Sequence, residues 1–332
     1  MERYIAVDNV CAWPNLTLLN DGTLTATIYN RPVHGRWHGD VEVWASTDHG
    51  ILWQKRGTAA PGEPPGNRMN VAAGCAVNGD LLVIASGWTP VMEPGTIDPD
   101  FACRRREVID ARVCRSADGG HTWARTDTVD VPDKTDRWFI PFGDITPGPS
   151  GLAVPFYSCP PDGTRNTAWM LRSTDDGQTW GGGSVIAADD FNETDILHLG
   201  AGAWLAACRT KQDGHVQLFA SSDDGYTWQD RGPVTLAGQH PPHLTHLEDA
   251  QVLLTYGIRN AGLYGVGTRI STDGGKSWSP PRIIVQFEGA TDGGYPSSLQ
   301  MGDGTIVTAY YANKVAAHGR YHMGVVRWNV SD

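Results

Sequence analysis

The motif Ser-x-Asp-x-Gly-x-x-Trp occurs five times in this chain, at Ser46–Trp53, Ser116–Trp123, Ser173–Trp180, Ser221–Trp228 and Ser271–Trp278. Five copies do not arise by chance, and a repeat decides the architecture before any local propensity does. Successive copies start 70, 57, 48 and 50 residues apart, about the length of one four-stranded antiparallel sheet per period. The motif encodes a tight turn. The Asp accepts hydrogen bonds from its own turn, the Gly supplies a positive φ, and the Trp seals the turn against the sheet.

A second repeat sets the number of sheets. Apolar strand, short Gly-containing turn and apolar strand recur at Asn15–Ile28, Ala73–Ser86, Asp144–Tyr157, Asp195–Cys208, Leu244–Tyr256 and Ser298–Tyr310. Turns such as Asn20-Asp21-Gly22, Asn78-Gly79-Asp80 and Asp303-Gly304 are hairpin signals. Six hairpins against five boxes predict an all-β, six-bladed β-propeller of four-stranded antiparallel blades, read as one domain over 1–332. The sixth blade lacks the box and ends with Gly324–Val330. Its missing strand is expected from Tyr4–Val7, so that the chain ends close the ring and leave no free edge.

Composition bounds the partners. The 332 residues carry a net charge of −11, which argues against nucleic acid or an anionic membrane. The basic run Arg104-Arg105-Arg106 is followed by Glu107 and Asp110 and reads as a solvated face. No window reaches the roughly 18 apolar residues of a membrane span. The N-terminal segment has no apolar core of a secretion signal, so a cytoplasmic location is the expectation, with secretion the alternative for a trimmed chain. Six cysteines stand singly, without a CxxC pair. Neither a disulfide framework nor a metal site is expected; His34, His38 and Asp40 match no familiar ligand spacing. No cofactor is implied.

In a propeller the residues flanking each inner hairpin converge on one mouth of the axis. Those positions hold Arg31, His34, Arg36 and His38; Arg68, Asn70 and Trp88; Arg137, Trp138, Asp144 and Tyr157; Glu193 and Arg209; His240, His243, Tyr256 and Arg259; Tyr295, Tyr310 and Tyr311. So many Arg, His and Tyr side chains between apolar strands point to an anion-binding pocket. The box residues themselves belong on the outer rim as structural groups.

The boxes resemble the repeat of bacterial neuraminidases, and the chain is identified as a divergent member of the sialidase superfamily. Asn192-Glu193 followed by Leu205–Arg209 is similar to the sialidase segment carrying the catalytic Glu and one arginine of a carboxylate-binding triad. Leu253–Arg259 is similar to the segment of another triad arginine. Gly294-Tyr295-Pro296-Ser297-Ser298-Leu299 resembles the segment of the tyrosine nucleophile, with Pro296 as one extra residue. Two departures stand out. Ala12-Trp13-Pro14 replaces the Arg-Ile-Pro of the first triad arginine, and Arg68-Met69-Asn70 stands where the acid/base Asp is expected. Arg31, Arg36 or Arg68 are candidates to replace the missing charge, and Asp144 or a histidine to replace the acid.

The resemblance implies an exo-acting glycoside hydrolase for an acidic saccharide. Glu193, Tyr295, His240, His243 and Asp144 are the catalytic candidates. Arg209, Arg259, Arg31, Arg68, Arg137, Trp138 and Tyr256 are the substrate-binding candidates. A polysaccharide lyase acting on a uronate-containing glycan through a Tyr or His base remains an alternative, as does a non-catalytic glycan-binding propeller.

Overall fold

Strand alternation in this chain serves two neighbours at once. In Ala203–Thr210, Trp204, Ala206 and Cys208 pack toward one adjacent sheet, while Leu205 and Ala207 pack toward the other. A strand covered on both faces needs apolar residues at successive positions, and its two side-chain rows then feed two different cores.

The computed structural model describes every residue except 36, 91–105, 133–136, 161–164, 289–291 and 316–317. It consists of six antiparallel sheets arranged as a six-bladed propeller. Blade I is Asn15–Leu18, Leu24–Tyr29, Val41–Ser46 and Gln54–Ala60, from the axis outward. Blade II is Asn70–Cys75, Leu81–Pro90, Arg106–Ser116 and Ala124–Thr126. Blade III is Trp138–Pro141 with Thr146–Gly148, then Gly151–Cys159, Thr167–Ser173 and Gly181–Ala187. Blade IV is Phe191–Gly200, Ala203–Thr210, Val216–Ser221 and Gln229–Pro233. Blade V is Gln239–His246, Val252–Asn260, Leu263–Ser271 and Arg282–Phe287. Blade VI is Gly293–Gln300, Ile306–Ala312, His322–Trp328 and, as its outermost strand, Glu2–Asp8. Among the described residues the only helix is the single 3-10 turn Glu248–Ala250, and no helix is long and apolar enough to cross a membrane.

Six apolar clusters lie between adjacent blades, one per interface. The cluster between blades I and VI, for example, joins Leu24, Ala26 and Ile28 to Val307, Ala309 and Val325. Trp180, Trp204 and Trp328 are fully buried in others.

The five boxes form the turns their sequence encodes. In the fourth, Asp223 Oδ1 accepts the Ser221 hydroxyl at 2.7 Å and the Thr227 N–H at 2.9 Å. The Gly225 N–H donates to Ser221 Oγ at 3.0 Å, and Trp228 Nε1–H donates to the Gly225 carbonyl at 2.9 Å. The box Gly is needed twice over. Gly177 has φ +83°, and a β-carbon there would collide with Leu82 of the preceding blade. Each turn is thus a peg set against its neighbour.

One feature near the axis escapes the sequence pattern. The innermost strand of blade III is interrupted, and Gly143–Asp144 crosses to pair in parallel with Ala72 and Ala73 of blade II. Gly143 (φ +83°) allows this, because a β-carbon would stand 2.7 Å from Asp195 Oδ1.

Ring closure rests on Glu2–Asp8, which pairs antiparallel with His322–Trp328 across a bulge at Ile5/Val7. Val7 is buried in the cluster between blades I and VI, and the Tyr4 hydroxyl donates to the Gly50 carbonyl in the box of blade I. Deleting residues 1–8 exposes the edge of the last blade and opens that cluster. The expected outcome is a fall in Tm of about 10 °C or more in a thermal melt; an unchanged Tm would contradict the closure.

Candidate active site

Three successive blades begin with the same irregularity. In blade IV, Phe191 and Thr194 face Thr210 and Cys208; in blade V, Gln239 and Pro242 face Ile258 and Tyr256; in blade VI, Gly294 and Ser297 face Tyr311 and Ala309. Each inner strand carries one residue more than its partner, a β-bulge, and a bulge turns a side chain out of the ladder. The bulges hold Glu193, His240 and Tyr295. The extra Pro296 of the sequence comparison is therefore a built part of the site. Tyr295 has φ +48°, a left-handed conformation costly for an aromatic residue and characteristic of functional positions.

The bulges bring four of the expected residues together. The Tyr295 hydroxyl donates to Glu193 Oε1 at 2.6 Å. Arg209 Nη1 donates to Glu193 Oε2 in an ion pair and lies 3.3 Å from the Tyr295 oxygen. The Arg259 guanidinium sits over the Tyr295 ring, 5.2 Å from its centre. Burial pushes the Tyr295 phenol far up, and the Glu193 carboxylate adds to the rise, against Arg209 and Arg259. The phenol is neutral at physiological pH. Arg209, despite its burial, stays charged because Glu193 compensates it. Arg259 Nε and Nη2 and Arg209 Nε are buried donors with no hydrogen-bond partner among the described residues. Buried guanidinium N–H groups of this kind cost free energy unless an acceptor meets them.

Tyr295 and Glu193, with the two arginines behind them, border an axial cavity of about 240 Å³ whose walls also include Trp13, His34, Asn70, Trp88, Arg106, Tyr157 and His243. Trp13, in the place of the missing triad arginine, also has positive φ (+45°). Its ring meets Tyr295, Tyr311 and His34 at centroid distances of 6.2, 5.6 and 4.8 Å. An aromatic ring thus stands where the resemblance would place a cation.

Beneath the cavity lies a polar floor. His243 Nε2 is 3.3 Å from Asp144 Oδ2 and 3.1 Å from Ser297 Oγ. The Ser298 N–H faces Nδ1 at 3.3 Å. Asp144 Oδ1 accepts from Asn15 at 3.0 Å. Asp195 accepts the Asp144 and Leu244 N–H groups at 3.0 and 2.7 Å. Burial alone would lower the His243 pKa; Asp144 and Asp195 outweigh it and raise the ring to about 9. Burial and the neighbouring Asp144 push Asp195 upward. His243 and Asp144 are thereby placed as supports of the floor that fix the inner strands, with both imidazole nitrogens engaged.

Several sequence expectations need correction. Arg68 is 3% exposed and spends its guanidinium on Glu63 and on the Ala85 and Asp110 carbonyls, bracing blade II. Tyr256, 1% exposed, belongs to the core between blades IV and V, because strand alternation turns it away from the axis. Arg31 donates to the His38 carbonyl within the loop of blade I, and Arg36 lies outside the described residues. Arg137 donates to the Arg165 carbonyl and, with Trp138, lines a separate outer depression; Trp138 reaches the site only through an edge-on contact with Trp88 at 5.8 Å. His240 is present but unsuited to giving up a proton. Burial, with Arg209 and Arg259 beside it, lowers its pKa to about 2. Two contributors were missed. Arg106, read as part of a solvated face, lines the cavity, and Asp292 accepts from His34 Nδ1 at 2.8 Å and from the Tyr311 and Tyr321 hydroxyls. No local signal marks either.

Among the described residues, two groups of three could present ligand atoms to a cation, Asp144–Asp195–His243 and Cys11–His34–Asp292. In the first, backbone N–H groups occupy both Asp195 oxygens; in the second, two phenol protons already point at the carboxylate. Neither donor set is arranged for a metal.

The BNR repeat-like domain family matches residues 36–308. The chain belongs to this family. It is similar to a sialidase of Bacteroides fragilis, 26% identical over 95% of this chain and 62% of that protein. A sialidase of Micromonospora viridifaciens is 25% identical over 85% of this chain and 48% of its own length. The chain thus spans about half to three fifths of these curated relatives. In fold it resembles a Dyadobacter fermentans protein of unknown function (TM-score 0.79, 21% identity, 98% and 97% of the two chains). It also resembles a Hadza microbial sialidase (TM-score 0.75, 19% identity, 99% and 68%). The propeller is that of sialidase-like glycoside hydrolases.

The charge arrangement gives a direct check. The His240 ring signals should not titrate between pH 5 and 8 by NMR, and Arg259→Ala should move the midpoint upward by removing a like charge. An ordinary midpoint near 6.5 in the unmodified protein would contradict the proximity of the two arginines.

Proposed function

We propose that this protein is a glycoside hydrolase that releases a terminal acidic sugar of the sialic acid type, with Tyr295 as nucleophile and Glu193 as its base. The observation that carries this reading is the 2.6 Å hydrogen bond from the Tyr295 hydroxyl to Glu193 inside the axial cavity. The anomeric carbon of a sialoside bears a carboxylate, which repels an anionic nucleophile; a neutral phenol paired with a carboxylate base avoids that repulsion. Arg259, with unpartnered Nε and Nη2, suits the sugar carboxylate better than Arg209, which is already committed to Glu193. This refines the expectation of two equivalent arginines.

In the first step the Tyr295 oxygen bonds to the anomeric carbon, its proton passes to Glu193, and the bond to the departing oxygen breaks. In the second, water attacks the same carbon and the tyrosyl oxygen leaves, regaining its proton from Glu193. Arg259 and Arg209 neutralise the substrate carboxylate and the phenolate charge that develops and fades. Two of the candidate bases for a uronate-directed elimination are poorly suited: His240 is depressed to about 2, and both nitrogens of His243 are engaged in the floor.

Tyr295→Phe removes one oxygen and keeps the ring under Arg259. It is expected to reduce kcat at least about 10³-fold on an aryl sialoside while changing the Kd of the free acidic sugar less than about threefold. Retained turnover would overturn the nucleophile. A wild-type protein that binds acidic glycans without hydrolysing any would overturn the enzyme reading in favour of a binding propeller.

A further inference from the structure

We propose that His34, held by Asp292, is the catalytic acid and base that protonates the departing oxygen and then deprotonates the attacking water, an inference that rests on the hydrolase reading above. The need for such a group follows from the geometry. Both Glu193 oxygens are occupied by Tyr295 and Arg209, so Glu193 serves the nucleophile and cannot also serve the leaving group.

The described residues lining the cavity offer few alternatives. Tyr157 is half-buried and desolvation pushes its phenol far up, Arg106 does not give up a proton in this pH range, and His243 is only 4% exposed with both nitrogens engaged. His34 differs on each count. Its side chain is 49% exposed at the cavity wall. Its Nδ1 lies 2.8 Å from Asp292 Oδ1, and Nε2 has no hydrogen-bond partner among the described residues.

The support behind the ring is that of a positioned acid/base rather than a chance surface histidine. Asp292 also accepts the Tyr311 and Tyr321 hydroxyls. Its burial would raise its pKa, and these bonds, His34 foremost, hold it well below the usual carboxylate range. A carboxylate so held fixes Nδ1–H toward itself and leaves the exchangeable proton on Nε2. Among the described residues, the buried Cys11 thiol also lies close to the ring, and burial pushes it up and out of range. Trp13 sets the position. Its indole meets His34 edge-on at 4.8 Å and Tyr295 at 6.2 Å, so one side chain spaces the proton donor from the nucleophile. That role gives the strained Trp13 backbone (φ +45°) a function beyond packing.

The proton balance closes. The imidazolium Nε2–H passes to the glycosidic oxygen as the bond to the anomeric carbon breaks, and the alcohol leaves neutral. Neutral His34 then takes a proton from water as that water attacks, and the imidazolium is restored.

The test compares His34→Gln and wild type on two sialosides of the same sugar, one with a 4-nitrophenyl leaving group and one with an alkyl alcohol. An acidic phenol departs without help and an alcohol does not. The expected loss in kcat/KM is about 100-fold or more on the alkyl substrate and less than about fivefold on the aryl one. Asp292→Asn should shift the same way to a smaller degree. Equal losses on both substrates, or none on either, would overturn the proposal. NMR of the His34 ring provides a readout independent of turnover. A downfield Nδ1 proton that vanishes in Asp292→Asn supports the pair, and its absence in wild type overturns it. Should wild type hydrolyse neither substrate, the hydrolase reading falls, and this proton alone decides whether the pair exists.

Discussion

The axial site exists because the ring closes, and the ring closes through the ladder between Glu2–Asp8 and His322–Trp328. Six twisted sheets packed face to face make a ring only if the last meets the first, and an unpaired outer edge would leave the cluster between blades I and VI open to water. With closure, each inner strand is fixed relative to five others, and residues more than a hundred positions apart, such as Glu193 and Tyr295, come within hydrogen-bonding distance. The box turns set each blade against the one before it, which carries the constraint around the circle.

Within this frame, the bulges of blades IV, V and VI convert structural strands into functional ones. A regular ladder would send Glu193, His240 and Tyr295 into the blade interfaces or along the strand. One inserted residue in each re-aims them without disturbing the apolar positions that follow. The two arginines then act on their neighbours: they add to the burial that keeps His240 neutral, oppose the rise in the Tyr295 pKa, and in the case of Arg209 bind Glu193. Trp13, in place of an arginine, puts an aromatic ring on the opposite wall. On the proposed reading, recognition of an acidic group falls to Arg259 and Arg209 rather than to a symmetric triad.

The blades were legible because their signals are local. Box and hairpin chemistry depend on residues within eight positions of one another, so six copies of a pattern can be read directly. Glu193 with Arg209 and Tyr295 with Arg259 were legible for a related reason, since repeat register places them at one mouth of the axis. What failed depended on side-chain direction or on distant partners. Tyr256 occupies an inner-strand position but points into an interface, and Arg68 finds Glu63 and two carbonyls before any ligand. The Asp292–His34 pair joins residues 258 apart in sequence, and the crossing of Gly143–Asp144 to blade II follows from packing around Asp195; no spacing in the chain encodes either.

The central claim is that the arginines behind Tyr295 and Glu193 recognise a carboxylate. Calorimetric titration of wild type and Arg259→Ala with a free sialic acid and with its methyl ester tests this directly. The account predicts that wild type prefers the acid, and that Arg259→Ala loses at least about tenfold in affinity for it, about 1.4 kcal/mol, with little change for the ester. Equal affinity of wild type for acid and ester, or an equal loss for both in the variant, would contradict it.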